Sequence, residues 1–419
     1  MKDKLNSLLR KDVLWAVLLA VGFLVFFVIN QPIDIVSYGS SDDFVRLGYL
    51  GGNYKSVHFS VLLKIVNLFT VMGFGSSVVG RGYFIASIFG SLCLGFVYLL
   101  ISKITSLNKY KGETYVLWLS KVASVILLGF SYEFVTQSLV LERYIFVAFL
   151  LAMYMYLFLT SLGQKIHSYV PIVLYLLLGL GISMHWIFIP LFIYSFFILY
   201  TKKSWSIKLL VINIFIVLGV LFLTLLSNTY FSFPNTSHSY SKSISLSESI
   251  HDYKSSYLSD GFSRELKLNP KGVRRFLPKI YLGFIKSFGY SGLVLFVLGS
   301  YIVLKRKKVS KYIKHLQVFL VTTILTFGTV MPMGQSSQID RNIMLSGVLV
   351  YIVCTIFICV GLNELLNRIQ KGLAVIHSKK TSMIVVTILG SLILITPLLK
   401  LNESTSFEKD SGHFSRELL

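Results

Sequence analysis

The chain has 419 residues, of which 54% are hydrophobic and only 14% charged, and its mean hydropathy is +0.72. That composition excludes an ordinary soluble domain, whose surface needs far more polar residues. The net charge of +22 would suit a nucleic-acid partner in a soluble protein, but its distribution follows membrane topology instead.

The first apolar run, 14–29, is long enough to cross a bilayer and has no small-residue cleavage site after it, so it reads as an anchor. Residues 31–79 follow as an outer loop, with an interrupted apolar stretch at 57–74 that suits a helix lying in the interface. Single spans are then expected near 80–102, 115–131, 144–160, 209–227, 287–304, 316–332, 342–362 and 382–399. Segment 171–200 differs: it starts at Pro171 and is interrupted by Gly181, His185 and Pro190. A single crossing there would export Lys202, Lys203 and Lys208, against the positive-inside rule. A re-entrant or broken helix pair returns the chain to the cytoplasm instead.

The expected fold is therefore all-α: a polytopic transmembrane helical bundle of about nine spans plus that pair, N-terminus in and C-terminus out. Residues 1–399 form the transmembrane domain, with a second large outer loop at 228–286, and 400–419 form an outer tail. In this arrangement only Asp3, Asp12, Glu113 and Glu364 of the 18 acids lie inside, while the densest basic cluster, Lys305-Arg306-Lys307-Lys308, is cytoplasmic. Cys93, Cys354 and Cys359 all lie in apolar segments and read as small core residues, with no disulfide or metal-ligand spacing.

Asp42 and Asp43 stand about ten residues beyond the first span. Adjacent carboxylates above a membrane suit a general base, a metal site or a sugar-binding pair, or a solvated acidic turn. Glu142-Arg143 opens the fourth span, either as an interfacial ion pair or with Arg143 receiving a lipid phosphate. Glu133, just past the third span, reads as an interfacial charge, and Arg341 with Asp340 as an anchor in a short outer loop. His58 suits a hydrogen bond or a catalytic role. His185 suits either closure of a broken backbone or a functional intramembrane group. Arg274, Arg275 and Lys279 form a basic face able to attract anionic headgroups or a diphosphate-linked glycan. Lys64, Lys121 and Lys286 interrupt apolar stretches near a helix end or where they can snorkel, and read as structural. No Walker loop, dinucleotide fingerprint or His-x-x-x-His pair is present.

The Asp42-Asp43 loop, the interfacial stretch 57–74, Gly80-Arg81-Gly82-Tyr83 and Glu142-Arg143-Tyr144 together resemble the GT-C superfamily of integral membrane glycosyltransferases. Within it the chain is most similar to the serotype-converting O-antigen glucosyltransferases of bacteria and their temperate phages. The resemblance covers roughly residues 10–200 well and the remainder in layout. It implies a multi-pass enzyme of the bacterial inner membrane that takes glucose from undecaprenyl phosphate and modifies lipopolysaccharide O-antigen at the periplasmic face. It implies Asp42 or Asp43 as base and Arg143 or Arg341 on the departing lipid phosphate. A flippase and a polyprenyl-phosphate sugar synthase are the implied partners. No cofactor is implied beyond the lipid-linked donor, although a divalent ion at the acidic pair is compatible with it. Two other classes fit a polytopic chain with broken helices: a translocase of lipid-linked sugars, and an O-antigen polymerase.

Overall fold

The structure is a computed structural model that describes residues 2–31, 78–107, 114–139, 143–162, 169–184, 188–201, 207–230, 247, 270–305, 315, 317–319, 321, 336–376 and 378–393. The helices in chain order are α1 (Lys2–Ile29), α2 (Val78–Leu107), α3 (Thr114–Gly129), α4 (Tyr132–Leu139), α5 (Arg143–Ser161) and α6 (Tyr169–Met184). They continue with α7 (Phe188–Thr201), α8 (Ile207–Tyr230), α9 (Pro270–Lys305), α10 (Ser336–Ile376) and α11 (Lys379–Leu392). Five of these helices are long and apolar enough to cross a membrane, and α3 with α4 would make a sixth across a 61° bend. Val170–Ser183, Phe188–Ile198, Val211–Thr224 and Lys380–Leu392 are shorter apolar helices. The fold is thus a polytopic helical membrane bundle.

Exposed residues confirm which solvent it was built for. Val13, Leu14, Val17, Leu18, Val21 and Val25 form an open stripe on α1, and Phe215, Leu218 and Phe222 another on α8. Such stripes would aggregate in water, whereas in a bilayer they face acyl chains.

Packing partners fix the helix directions. Along α1 and α2 the pairs are antiparallel: Asp12 meets Tyr98, and Gln31 meets Ser87. Phe89 of α2 packs on Phe146 of α5, and Phe96 on Tyr156, so these two helices run parallel. α9 and α10 are also parallel, with Phe284 on Tyr351 and Phe296 on Phe357. Their closest crossing is backbone against backbone. A Cβ on Gly299 would overlap the carbonyl oxygen of Phe357, and one on Gly361 that of Leu295. Small residues at such crossings let dispersion and dipole contacts replace the hydrophobic effect that lipid does not provide.

Several helices differ from the expected spans. α9 begins at Pro270, a residue preorganised for a first helical turn, and not at 287. α10 has 41 residues, about 60 Å of helix at 1.5 Å per residue, against a hydrocarbon core of about 30 Å. Hydropathy locates only the lipid-buried part of such a helix; its polar extensions carry no apolar run. The pair at 171–200 forms α6 and α7 on either side of residues 185–187, so His185 lies outside the described residues, as does most of 316–332.

Candidate functional site at one end of the bundle

Because α1 and α3 end where α2, α5, α9 and α10 begin, one end of the bundle collects several connections. The chain leaves this end at Gln31 and returns at Val78, and it returns again at Arg143, Pro270 and Ser336. A hydrogen-bond relay ties the end together. Gln31 Nε2 donates to Ser87 Oγ at 3.1 Å, and Ser87 Oγ reaches the carbonyl oxygen of Ser138 at 3.2 Å. α1 itself is closed by Asn30 Nδ2 donating to the Phe26 carbonyl at 2.8 Å.

The bend between α3 and α4 lies at this end and has a local cause. Phe23 of α1 fills the space where a Cβ on Gly129 would stand, and its ring packs on Phe130 at 5.2 Å between centroids. The chain then turns at Ser131, whose hydroxyl donates to the Leu128 carbonyl at 2.7 Å while its own carbonyl accepts from Val135 N. One terminal carbonyl of α3 and one early amide of α4 are thereby satisfied within the turn.

α4 that emerges from this turn is buried and polar. Glu133 is 3% exposed, Thr136 1% and Gln137 4%. At i, i+3 and i+4 they share one helix face. Tyr351 of α10 lies within electrostatic reach of the Glu133 carboxylate, and its ring is wedged against Phe284 and Phe288 of α9. Lys286 of α9, exposed to its surroundings, holds its ammonium 3.4 Å above the centroid of the Tyr132 ring. Three residues farther on, α9 breaks at Gly289, with φ 67° and ψ −178°. Only glycine adopts that conformation readily, and the break re-aims the turn carrying Lys286, Ser287 and Phe288. Thr136 Oγ1, Gln137 Oε1, Ser287 Oγ and Tyr351 OH have no hydrogen-bond partner among the described residues. A buried carboxylate beside a set of such hydroxyl and amide groups is expensive within a membrane protein, and groups of this kind mark functional sites by default.

The residues singled out from sequence fall around this end unevenly. Arg143 is the first residue of α5, Arg274 and Arg275 lie in the opening turns of α9, and Arg341 in those of α10. The side chains of these four, and Asp42, Asp43, His58 and Glu142 altogether, lie outside the described residues. Among the described residues no three His, Cys, Asp or Glu side chains come together. Glu133 is what the sequence reading undervalued. From sequence it reads as an interfacial charge, and within the bundle it is 3% exposed, with Tyr351 of α10 in its electrostatic reach. The signal that could have found it is the Glu-x-x-Thr-Gln spacing, which puts three polar groups on one face of a segment that otherwise reads as apolar.

No protein-family model matches the chain, and no curated protein sequence does. Solved structures do. The Archaeoglobus fulgidus oligosaccharyltransferase, determined in complex with Zn and sulfate, superposes with a TM-score of 0.50 at 15% identity, covering 95% of this chain and 53% of its own. ArnT from Cupriavidus metallidurans bound to undecaprenyl phosphate superposes with a TM-score of 0.52 at 12% identity, covering 96% of this chain and 75% of its own. The chain thus spans about half the length of the oligosaccharyltransferase. At these identities the likeness is one of fold: the chain shares its polytopic helical architecture with ArnT and the archaeal oligosaccharyltransferase.

Proposed function

We propose that this protein transfers a sugar, glucose in the first instance, from undecaprenyl phosphate to a lipid-linked glycan such as O-antigen at the periplasmic face of the bacterial inner membrane. The fold shared with an ArnT that binds undecaprenyl phosphate supports a polyprenyl-linked donor. The observation that carries the reading is topological. The segment bearing Asp42 and Asp43 leaves and re-enters the bundle at the end where the buried polar face of α4 lies. With the N-terminus in the cytoplasm, that end faces the periplasm.

In this reaction Asp42 or Asp43 takes the proton from an acceptor hydroxyl as its oxygen attacks the anomeric carbon. The carbon–oxygen bond to phosphate breaks, configuration inverts, and the polyprenyl phosphate departs with both bonding electrons. Base assistance of this kind contributes about 10²–10⁴-fold. Arg143 or Arg341 stabilises the leaving phosphate, where a bidentate guanidinium is stronger than a point charge. Arg274 and Arg275 draw the anionic acceptor carrier to the same surface, and His58 supports the acidic pair. The donor tail stays in lipid throughout, so only the sugar crosses into the aqueous cleft. A flippase and a donor synthase supply the substrate.

Mass spectrometry of surface glycans from cells carrying Asp42→Asn with Asp43→Asn tests the assignment. Loss of one side-branch hexose with the protein still in the membrane is expected. Full transfer by the double variant removes the base. Shortened chains with the side branch retained indicate a polymerase instead.

A further inference from the structure

We infer that the buried polar face of α4, where it meets α9 and α10, receives the donor's sugar ring, with Lys286 at its rim for the phosphodiester; this rests on the transfer reading above. Four buried polar atoms without partners among the described residues lie on the three helices that meet here: Thr136 Oγ1 and Gln137 Oε1 on α4, Ser287 Oγ on α9 beside the Gly289 break, and Tyr351 OH on α10. Native interiors leave few such atoms, and each asks for an explanation. Three hydroxyls that both donate and accept, one amide and one carboxylate make the complement of a ring bearing several hydroxyl groups. None of these five groups is a cation, so among the described residues they offer no counter-charge to an acidic sugar. The Glu133 carboxylate accepts hydrogen bonds from hydroxyls and repels a second carboxylate. The ligand class is therefore a neutral hexose, and a uronic acid is disfavoured.

Lys286 belongs to the outside of the same site. Its ammonium is held by the Tyr132 ring, one residue from Glu133. An aromatic face orients a cation without neutralising it, so its charge stays available to an anion. Leu282, Tyr290 and Val294 on the same helix are exposed and face acyl chains in this bundle, so the rim opens towards the bilayer and away from water. A sugar on a lipid phosphate enters from that side; a free sugar does not.

Full-length protein in detergent micelles is titrated with two probes, undecaprenyl-phosphate glucose and undecaprenyl phosphate, using native mass spectrometry for binding and thermal denaturation for folding. Tyr351→Phe and Thr136→Val keep the side-chain shape and remove polar atoms that have no partner among the described residues, so neither should lower the melting temperature. Each is expected to weaken the glucose-bearing probe about tenfold, the effect of losing one buried hydrogen bond, and to leave the sugar-free probe unchanged. Lys286→Gln should weaken both probes. Should Tyr351→Phe and Thr136→Val bind both probes as the wild type does, or weaken both equally with a lowered melting temperature, the pocket is wrong while the transfer reading stands. If the wild-type protein binds neither probe, the transfer reading fails and the pocket fails with it.

Discussion

Lys121 Nζ lies 3.2 Å from Asp12 Oδ1, and the Tyr98 hydroxyl reaches the same oxygen at 3.4 Å. Three helices are joined at one carboxylate: α1 through Asp12, α2 through Tyr98 and α3 through Lys121. The site lies towards the end of the bundle opposite the Gln31 relay. Lys121 therefore does not snorkel to water; its side chain is 10% exposed and its charge is met inside the protein. Breaking a fully buried pair costs roughly 3–5 kcal/mol because the remaining charge is stranded. Asp12 is 27% exposed, so Lys121→Met should cost less, about 2 kcal/mol. Adding Asp12→Asn should recover most of that loss. Thermal denaturation of the single and double variants in one detergent measures both; equal loss in the two would show that the pair is not coupled.

The crossing of α9 on α10 has no room for a side chain. Gly361→Ala places a methyl group into the Leu295 carbonyl, and backbone, unlike a flexible side chain, cannot step aside. The expected cost is about 3 kcal/mol or more, seen as loss of monodisperse protein on size exclusion. Gly372→Ala, on the same helix with nothing within 4 Å of the added carbon, is the control. It should gain roughly 0.5–1 kcal/mol from helix propensity. Two glycines of one helix, eleven positions apart, are thus expected to respond with opposite sign.

Much of the bundle was legible from sequence because lipid imposes a simple rule: backbone must be satisfied internally, so an apolar run of sufficient length is a helix. Segments 14–29, 80–102 and 144–160 obey it and fall within α1, α2 and α5. The same rule is silent on what one helix does to another. Lys121 and Asp12 are 109 positions apart, so neither local window contains the pair. Glu133 follows an apolar run and reads as a charge reaching the interface. Its electrostatic neighbour Tyr351 is more than two hundred positions away, and the 61° bend that precedes it lies where Phe23 occupies the space beside Gly129. Gly289 looks like any membrane glycine until its φ is known.

Orientation can be read with the protein's own cysteines as a silent background. Cys93, Cys354 and Cys359 are free and buried, so a membrane-impermeant maleimide should leave the wild-type protein unlabelled in intact spheroplasts. Ser41→Cys, beside the acidic pair, should label at once. Lys307→Cys, in the basic cluster after α9, should label only after permeabilisation. The reverse pattern would put Asp42 and Asp43 in the cytosol, out of reach of a donor displayed in the outer leaflet.

The Gly289 break connects backbone geometry to the site. At φ 67° and ψ −178° an alanine is strained, by about 1–3 kcal/mol on general grounds. Gly289→Ala has two ways to respond. It can keep the break and lose stability, or straighten α9 and swing Lys286 and Ser287 away from α4, since a rotation at one residue turns everything before it as a unit. The second response costs the Lys286–Tyr132 stacking, and with it the place proposed for the donor phosphate. Binding of undecaprenyl phosphate should then fall together with that of the glucose-bearing probe. Gly219→Ala, on α8 with nothing within 4 Å, should change neither. A Gly289→Ala protein that melts as the wild type does and binds both probes as tightly would show that the break does not position Lys286.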